Sequence, residues 1–277
     1  MESIRQLFGQ FGITEVGVCP FAAFENELLA CRAKNRIPQG AKSIVVFLMS
    51  YLQPSYAGPR NLAKYAVVPD YHRVASRLAE ELLPALEALF PGERFALFAD
   101  NSPIPEVRAA CAAGLGVLGL NGLVINPVYG SYVFVGEIAT TLSLPPNVPE
   151  HTGCIGCGAC IRACPAGCLQ PGGRNITRCL SFLTQKKGAL TPEEQAAVRK
   201  GGLIWGCDVC QDVCPMNRSA QPTRIPLLSE DLVAFVEAGQ IDALCKTRAF
   251  GFRGPAVLHR NIGIVHGAPA HTITAEN

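Results

Sequence analysis

No stretch of the 277-residue sequence approaches the roughly 18 consecutive apolar residues that a membrane-spanning helix needs. Met1 to Gln10 contain Glu2 and Arg5 and no apolar core of signal-peptide length, so no membrane association and a cytoplasmic location are expected. An excess of charge of one sign is also missing. Lys and Arg number 24 and Asp and Glu 22, a net charge of +2, so any nucleic-acid binding has to come from a local patch rather than a broad basic field. Charged residues make up only 17% of the chain against 49% hydrophobic ones, a composition that excludes broad disorder and allows a buried core. Cysteine, by contrast, is plentiful. Thirteen cysteines in a reducing compartment argue for metal ligation over disulfides.

The length exceeds that of a free ferredoxin and suits one sizeable domain with a smaller module attached. Up to about Leu144, short apolar strands (Ser43 to Met49, Phe95 to Ala99, Tyr132 to Ile138) alternate with amphipathic helices, which predicts an α/β layer. The clearest helix starts at Asp70 and carries Leu78, Leu82 and Leu86 at helical spacing. The stretch Pro145-Pro146-Asn147-Val148-Pro149 breaks this pattern and sets a boundary. The expected divisions are 1–148 for the α/β domain, 149–220 for a cysteine-rich module and 221–277 for a C-terminal helical segment packing back on the core. Thr191-Pro192-Glu193-Glu194 reads as a capping box opening a short spacer helix. A further helical pattern runs around Leu232, Phe235, Val236 and Leu244, and the last residues read as frayed.

Cys154-x2-Cys157-x2-Cys160-x3-Cys164-Pro165 has the spacing of the bacterial ferredoxin run, in which three thiolates face one cluster and the fourth serves its neighbour. A partial second run, Cys207-x2-Cys210-x3-Cys214-Pro215, lacks its first cysteine locally, and Cys179 supplies it. By this crossover rule Cys154, Cys157, Cys160 and Cys214 hold one 4Fe-4S cluster, and Cys164, Cys179, Cys207 and Cys210 the other. Structural zinc uses CxxC pairs too, but CxxCxxCxxxCP rarely serves it. Cys168 is left as a spare, and Cys19, Cys31, Cys111 and Cys245 are expected to be small buried residues.

Low-potential electron transfer by two clusters implies that the first 150 or so residues hold a cofactor or a substrate. Their motifs run in order: Tyr65-Ala66-x3-Asp70-Tyr71-His72, Asp100-x2-Pro103-x2-Glu106, Ala113-Gly114-Leu115-Gly116-x2-Gly119-x-Asn121, Asn126-Pro127-x2-Gly130-Ser131, and Gly136-Glu137-Ile138. Together with Arg178 to Thr184 and Gly206 to Pro215, this order resembles the epoxyqueuosine reductase family. The resemblance implies an α/β cobalamin-binding domain, related to that of reductive dehalogenases, packed on a ferredoxin-like two-cluster 4Fe-4S module. It also implies reduction of epoxyqueuosine to queuosine at the tRNA wobble position.

On that resemblance Asp100 is the general acid, able to protonate the departing oxygen if an apolar pocket raises its pKa, while capping of the helix that follows is the plainer use of an aspartate there. Glu106 is explained by the helix dipole. Tyr71, His72, Asn121, Asn126, Gly130, Ser131 and Tyr132 are the expected cobalamin contacts. No histidine sits in a recognisable ligand motif, so no protein ligand to cobalt is expected. Leu120 stands where the family usually has lysine, and the C-terminal helical-repeat domain of longer members is not part of the match. The expected partners are tRNA or a modified nucleoside and an external low-potential electron donor, and a monomer is expected. A reductase of another small substrate, or an electron-transfer partner without its own substrate, are the alternative readings.

Overall fold

The computed structural model describes residues 1–56, 58–149 and 153–266. The chain forms two compact units that interleave along the sequence. The first comprises Met1–Pro54, Tyr71–Cys157 and Cys214–Glu230; the second comprises Ser55–Asp70, Gly158–Val213 and the chain from Asp231 onward. These units follow contacts, whereas the divisions 1–148, 149–220 and 221–277 follow sequence chemistry, and the two partitions cut the chain differently.

The first unit is built on a four-stranded antiparallel sheet of β1 (Val16–Pro20), β2 (Ser43–Ser50), β3 (Phe95–Ala99) and β4 (Val133–Thr140) in the order β1-β2-β4-β3. β2, an unbroken Ile-Val-Val-Phe-Leu-Met run between two serines, is buried along its whole length, as a central strand covered on both faces should be. In α1 (Glu2–Gly9), Ile4, Leu7 and Phe8 share one buried face, and Phe8 packs on Phe47 with ring centroids 5.0 Å apart. α2 (Tyr71–Leu89) buries Val74, Ala75, Leu78, Leu82 and Leu86, the stripe anticipated from its spacing. α3 (Glu106–Ala112) brings the small residues Ala109 and Ala110 against the core that includes Ile44, Val46 and Phe98. The strand register places Ala99 opposite Gly136 and Phe98 opposite Glu137, so the loop leaving β3 at Asp100 starts beside the middle of β4.

The second unit holds α4 (Ala159–Ala163), α5 (Leu180–Gln185), α6 (Pro192–Gly201), α7 (Val209–Asp212) and α8 (Pro255–His266). The capping box at α6 is present: Glu194 N–H bonds Thr191 Oγ1 at 3.3 Å and Thr191 N–H bonds Glu194 Oε2 at 2.9 Å. Of the helical pattern expected around Leu232, Phe235, Val236 and Leu244, only the end is helical, in a short helix Ile241–Leu244, and the stretch from Leu232 to Val236 is not. Val233 N–H bonds the Val67 carbonyl at 2.9 Å, and the Asn61 amide bonds both the N–H and the carbonyl of Val236, so this segment is extended alongside 61–67. Its apolar residues pack around Leu62, Trp205 and Phe250 in a pattern that only mimics a helix face. The fraying expected at the C-terminus lies outside the described residues.

Candidate active site and cysteine constellation

Asp100 follows the last residue of β3 with φ +52°, and Asn101 continues with φ +38°. Two consecutive non-glycine residues in the left-handed region are uncommon, and such backbone strain gathers at functional loops. Asp100 Oδ2 accepts a hydrogen bond from Tyr71 Oη at 2.9 Å and meets His72 Nε2 at 3.0 Å. It does not cap α3, which has no side-chain cap and starts after Pro105. The expected rise in its pKa is also corrected. The hydrogen bond from His72, helped by that from Tyr71, outweighs partial burial and holds the carboxyl down to about 2. In this arrangement Asp100 is a carboxylate at neutral pH.

The loop borders an open cleft of about 490 Å³ that is also lined by Cys31, Ser102 and Glu106. Glu106 is pushed up to about 7, first by burial and then by the Asp100 charge. Behind it, fully buried Glu137 is pushed up to about 9 by burial, although it accepts a hydrogen bond from the Ser102 hydroxyl. Motif reading placed Glu137 in the Gly136-Glu137-Ile138 run but gave neither it nor Ser102 a role. The available signal was a glutamate inside the otherwise apolar strand Val-Phe-Val-Gly-Glu-Ile-Ala.

Every candidate cobalamin contact lies in the first unit. The Tyr71 ring stacks on His72 at 4.1 Å and on Phe134 at 4.2 Å, and Tyr51 continues the row, 4.8 Å from Phe134 and 6.2 Å from Tyr132. Asn126 is a different kind of residue. Its amide donates to Glu15 Oε2 and to the Leu115 carbonyl, both at 2.7 Å, and its oxygen accepts from Val128 and Tyr129 N–H at 2.9 and 2.8 Å. All four of its hydrogen-bonding positions are taken inside the protein. Ser131 is held by Asn217, whose amide donates to Ser131 Oγ at 2.8 Å and whose oxygen accepts from Ser131 N–H at 2.9 Å. The same Asn217 explains Gly130, where φ is +58° and a Cβ would lie 2.5 Å from Asn217 Oδ1. Asn121 turns a hairpin tip by accepting from Leu123 N–H at 3.2 Å, and Leu120 beside it is exposed. Sequence reasoning missed Asn217, which follows the Cys-Pro pair by two residues.

None of the thirteen cysteines is part of a disulfide. In the second unit Cys160, Cys164, Cys179 and Cys210 pack in one group with Cys168 and Leu169, and Cys207 lies within electrostatic reach of Cys164 and Cys179. Cys179 sits at the N-cap of α5. Cys168 N–H donates to Cys164 Sγ at 3.3 Å, the kind of bond that tunes a cluster thiolate, so the spare cysteine contributes through its backbone. Gly156 and Gly158 on this run have φ +67° and +69°, the left-handed conformations that tight turns between closely spaced cysteines require. Cys154, Cys157 and Cys214 belong to the first unit, where Cys214 packs with Val117, Ile125 and Met216. Of the cysteines expected to be buried bystanders, only Cys19 is fully so, while Cys31, Cys111 and Cys245 are partly exposed.

Residues 153–217 match a family described as 4Fe-4S double cluster binding domain, and residues 32–101 match one described as Epoxyqueuosine reductase QueG, DUF1730. An epoxyqueuosine reductase from Francisella cf. novicida is 32% identical over 259 residues, spanning 84% of this chain and 71% of the relative. The chain belongs to the epoxyqueuosine reductase family. Another member, from Gloeobacter violaceus, is 37% identical over 187 residues, covering 66% of this chain and 58% of the relative. For four of these curated reductases the chain spans 46–62% of their length. An epoxyqueuosine reductase solved with an epoxyqueuosine-modified tRNA-Tyr stem loop superposes with TM-score 0.77 at 26% identity, covering 95% of this chain and 80% of that one. A Bacillus subtilis epoxyqueuosine reductase, solved with its catalytic aspartate loop swung out of the active site, gives 0.78 at 25% over the same shares. A reductive dehalogenase structure described for B12-dependent dehalogenation shares the fold, with TM-score 0.52 and 20% identity over 93% of this chain and 35% of that one. Thus the α/β unit and the iron–sulfur module are those of this reductase family. Among the described residues no helix is long and apolar enough to cross a membrane.

Proposed function

We propose that this protein reduces epoxyqueuosine to queuosine in tRNA, with the eight cysteines Cys154, Cys157, Cys160, Cys164, Cys179, Cys207, Cys210 and Cys214 carrying the two 4Fe-4S clusters. The observation that carries this reading is the strained Asp100 loop, whose carboxylate is held by Tyr71 and His72 at the mouth of a cleft in the same chain as the cluster domain. The related reductase solved with a modified tRNA stem loop supports the substrate class.

The residues present fit both cofactors. For the clusters, the fit is in the packing of Cys160, Cys164, Cys179 and Cys210 into one group, with an N–H donor to the Cys164 sulfur. Cobalamin is a large flat ring, and the first unit offers a row of aromatic faces from His72 through Tyr71 and Phe134 to Tyr51, together with the buried Ser50 hydroxyl, which has no partner among the described residues. Tyr71 and Phe134 would hold the ring by surface contact, with the buried Tyr51 and Tyr132 rings supporting Phe134. Asn126, Gly130 and Ser131 would act by fixing the backbone that faces it, since the Asn126 and Ser131 side chains are bonded within the protein. Bound cobalamin would supply the low-potential reducing equivalents that open the epoxide, and the clusters would supply electrons one at a time.

This chain's own residues then manage the proton. Asp100 is ionised while it touches His72, so it becomes a donor to the departing oxygen only after that contact is released and its pKa returns toward the ordinary range. The strained Asp100–Asn101 backbone favours such a loop movement.

Anaerobic turnover of epoxyqueuosine-containing tRNA by the protein loaded with clusters and cobalamin, followed by nucleoside mass spectrometry, tests the reading. Loss of the mass of one oxygen is expected. An unchanged nucleoside with both cofactors bound and reducible overturns it in favour of another small substrate. Asp100→Asn should lower turnover by on the order of 10²–10⁴ while leaving cobalamin absorbance after gel filtration intact, and unchanged turnover removes Asp100 from the chemistry.

A further inference from the structure

We propose that Glu106 is a proton store for the Asp100 site, loading Asp100 before each donation, with Glu137 as a neutral neighbour behind it. This inference rests on the reductase reading above.

The arrangement is geometric first. The Glu106 carboxyl opens α3 and accepts a hydrogen bond from the backbone N–H of Asp100, which ties it to the loop it would serve. One of its oxygens, Oε1, is nevertheless buried without a hydrogen-bond partner among the described residues. Glu137, entirely inaccessible on β4, shows the same feature. Its Oε2 accepts from Ser102, and its Oε1 has no partner. Ser102 in turn accepts from the Ile104 N–H at 3.1 Å, which fixes the hydroxyl between the loop and the strand.

Two carboxyls thus stand beside the Asp100 loop, and the pull of His72 on Glu106 is outweighed by burial and by the Asp100 charge. The groups facing Glu106 are Asp100 from its own loop, His72 from α2 and Glu137 from β4. Arg108, two residues along α3, pairs with Glu27 instead. A buried carboxyl oxygen lacking a donor is poorly placed as part of an anion and well placed in a neutral acid. The site therefore holds its exchangeable proton on Glu106 near neutral pH, while Asp100 beside it is ionised.

The step balances without electrons. On release of Asp100 from His72 and Tyr71, the Glu106 O–H bond breaks and an O–H bond forms on the Asp100 carboxyl. Asp100 then gives that proton to the departing oxygen. Glu106 stays a carboxylate until a solvent proton entering by the cleft restores it. One proton passes this way per turnover, and the electrons and second proton of epoxide reduction arrive separately.

Glu106→Gln keeps the shape and removes the exchangeable proton. Infrared titration of the intact cofactor-loaded protein should show a protonated-carboxyl band that disappears as pH rises through about 7, absent in Glu106→Gln and retained in Glu137→Gln. In turnover, Glu106→Gln should lower kcat on the order of tenfold at neutral pH with KM held, below what a direct general acid contributes. Its pH profile should also lose the fall centred near 7, and Glu106→Asp should recover part of the rate. A wild-type protein with no carboxyl titrating in that range, or a Glu106→Gln variant with unchanged band and pH profile, overturns the proposal. Wild-type protein that shows the infrared transition yet leaves epoxyqueuosine unreduced overturns the reductase reading instead.

Discussion

Glu137→Gln should stabilise the protein, and by more as the pH is raised. Burial keeps the Glu137 carboxyl neutral up to about 9, against an ordinary value of 4.5. The unfolded chain ionises through the lower value and the folded protein through the higher one. The stability tied to this proton is therefore complete below 4.5 and is lost progressively as pH rises toward 9. Each pH unit inside that window is worth about 1.4 kcal/mol, so between pH 5 and pH 8 the glutamate should cost the folded state about 4 kcal/mol that a glutamine does not. Glutamine still offers an oxygen to the Ser102 hydroxyl, so the internal hydrogen bond survives the change. Paired urea unfolding curves of cluster-loaded wild type and variant, taken anaerobically at several pH values, give the difference directly, because every other titrating group cancels in the comparison. The gap between the two proteins should widen by about 4 kcal/mol across that range, on the order of the whole stability margin of many domains. A gap constant to within about 1 kcal/mol would show that Glu137 ionises alike in the folded and unfolded chain, and would refute the buried-neutral assignment.

Asn126→Ala removes four hydrogen bonds, two buried and two part-buried, and leaves the partner groups of Glu15, Leu115, Val128 and Tyr129 to find others, so a loss of about 2–4 kcal/mol is expected in thermal or urea unfolding. A loss under about 1 kcal/mol would mean that the 126–130 loop is held by something else. Cys179→Ser should leave one intact cluster by iron analysis and electron paramagnetic resonance, whereas Cys168→Ser should retain both with little change in potential, because it is the Cys168 backbone N–H, kept in serine, that touches Cys164. Equal cluster loss in both variants would place Cys168 among the ligands.

The elements that surfaced most clearly in the sequence were those with a strong local cause. β2 is an apolar run, α2 carries Leu78, Leu82 and Leu86 at helical spacing, and α6 begins with a complete capping box. The cysteine runs were equally legible, because cluster ligation fixes spacing as well as residue type. What escaped was set by partners distant in sequence. The segment 233–236 has helix-like periodicity, yet its backbone bonds to Asn61 and Val67 made it extended. Asn126 carries the resemblance to the family's cofactor side, but only its four hydrogen bonds show that it acts by holding a loop. At Asp100 the residue type and its place at a strand end were readable, while the sign of its pKa shift depended on a histidine and a tyrosine 28 and 29 residues earlier.

The interleaving of the two units has a consequence for biosynthesis. The chain passes between them at 54/55, 70/71, 157/158, 213/214 and 230/231. A ribosome therefore releases the central strand β2 and the Asp100 loop long before residues 214–230 emerge to complete the same unit, and Asn217, which pins Gly130 and Ser131, is among the late arrivals. The usual order, with an N-terminal domain finished before the next begins, is closed to this chain. The four strands of the sheet and the core around them lie within residues 16–140, whereas the loop at Gly130 and Ser131 waits for Asn217 to be made. Chaperone dependence and timing of cluster insertion should therefore be governed by the same late segment, and neither unit can be produced alone by cutting the gene at one point.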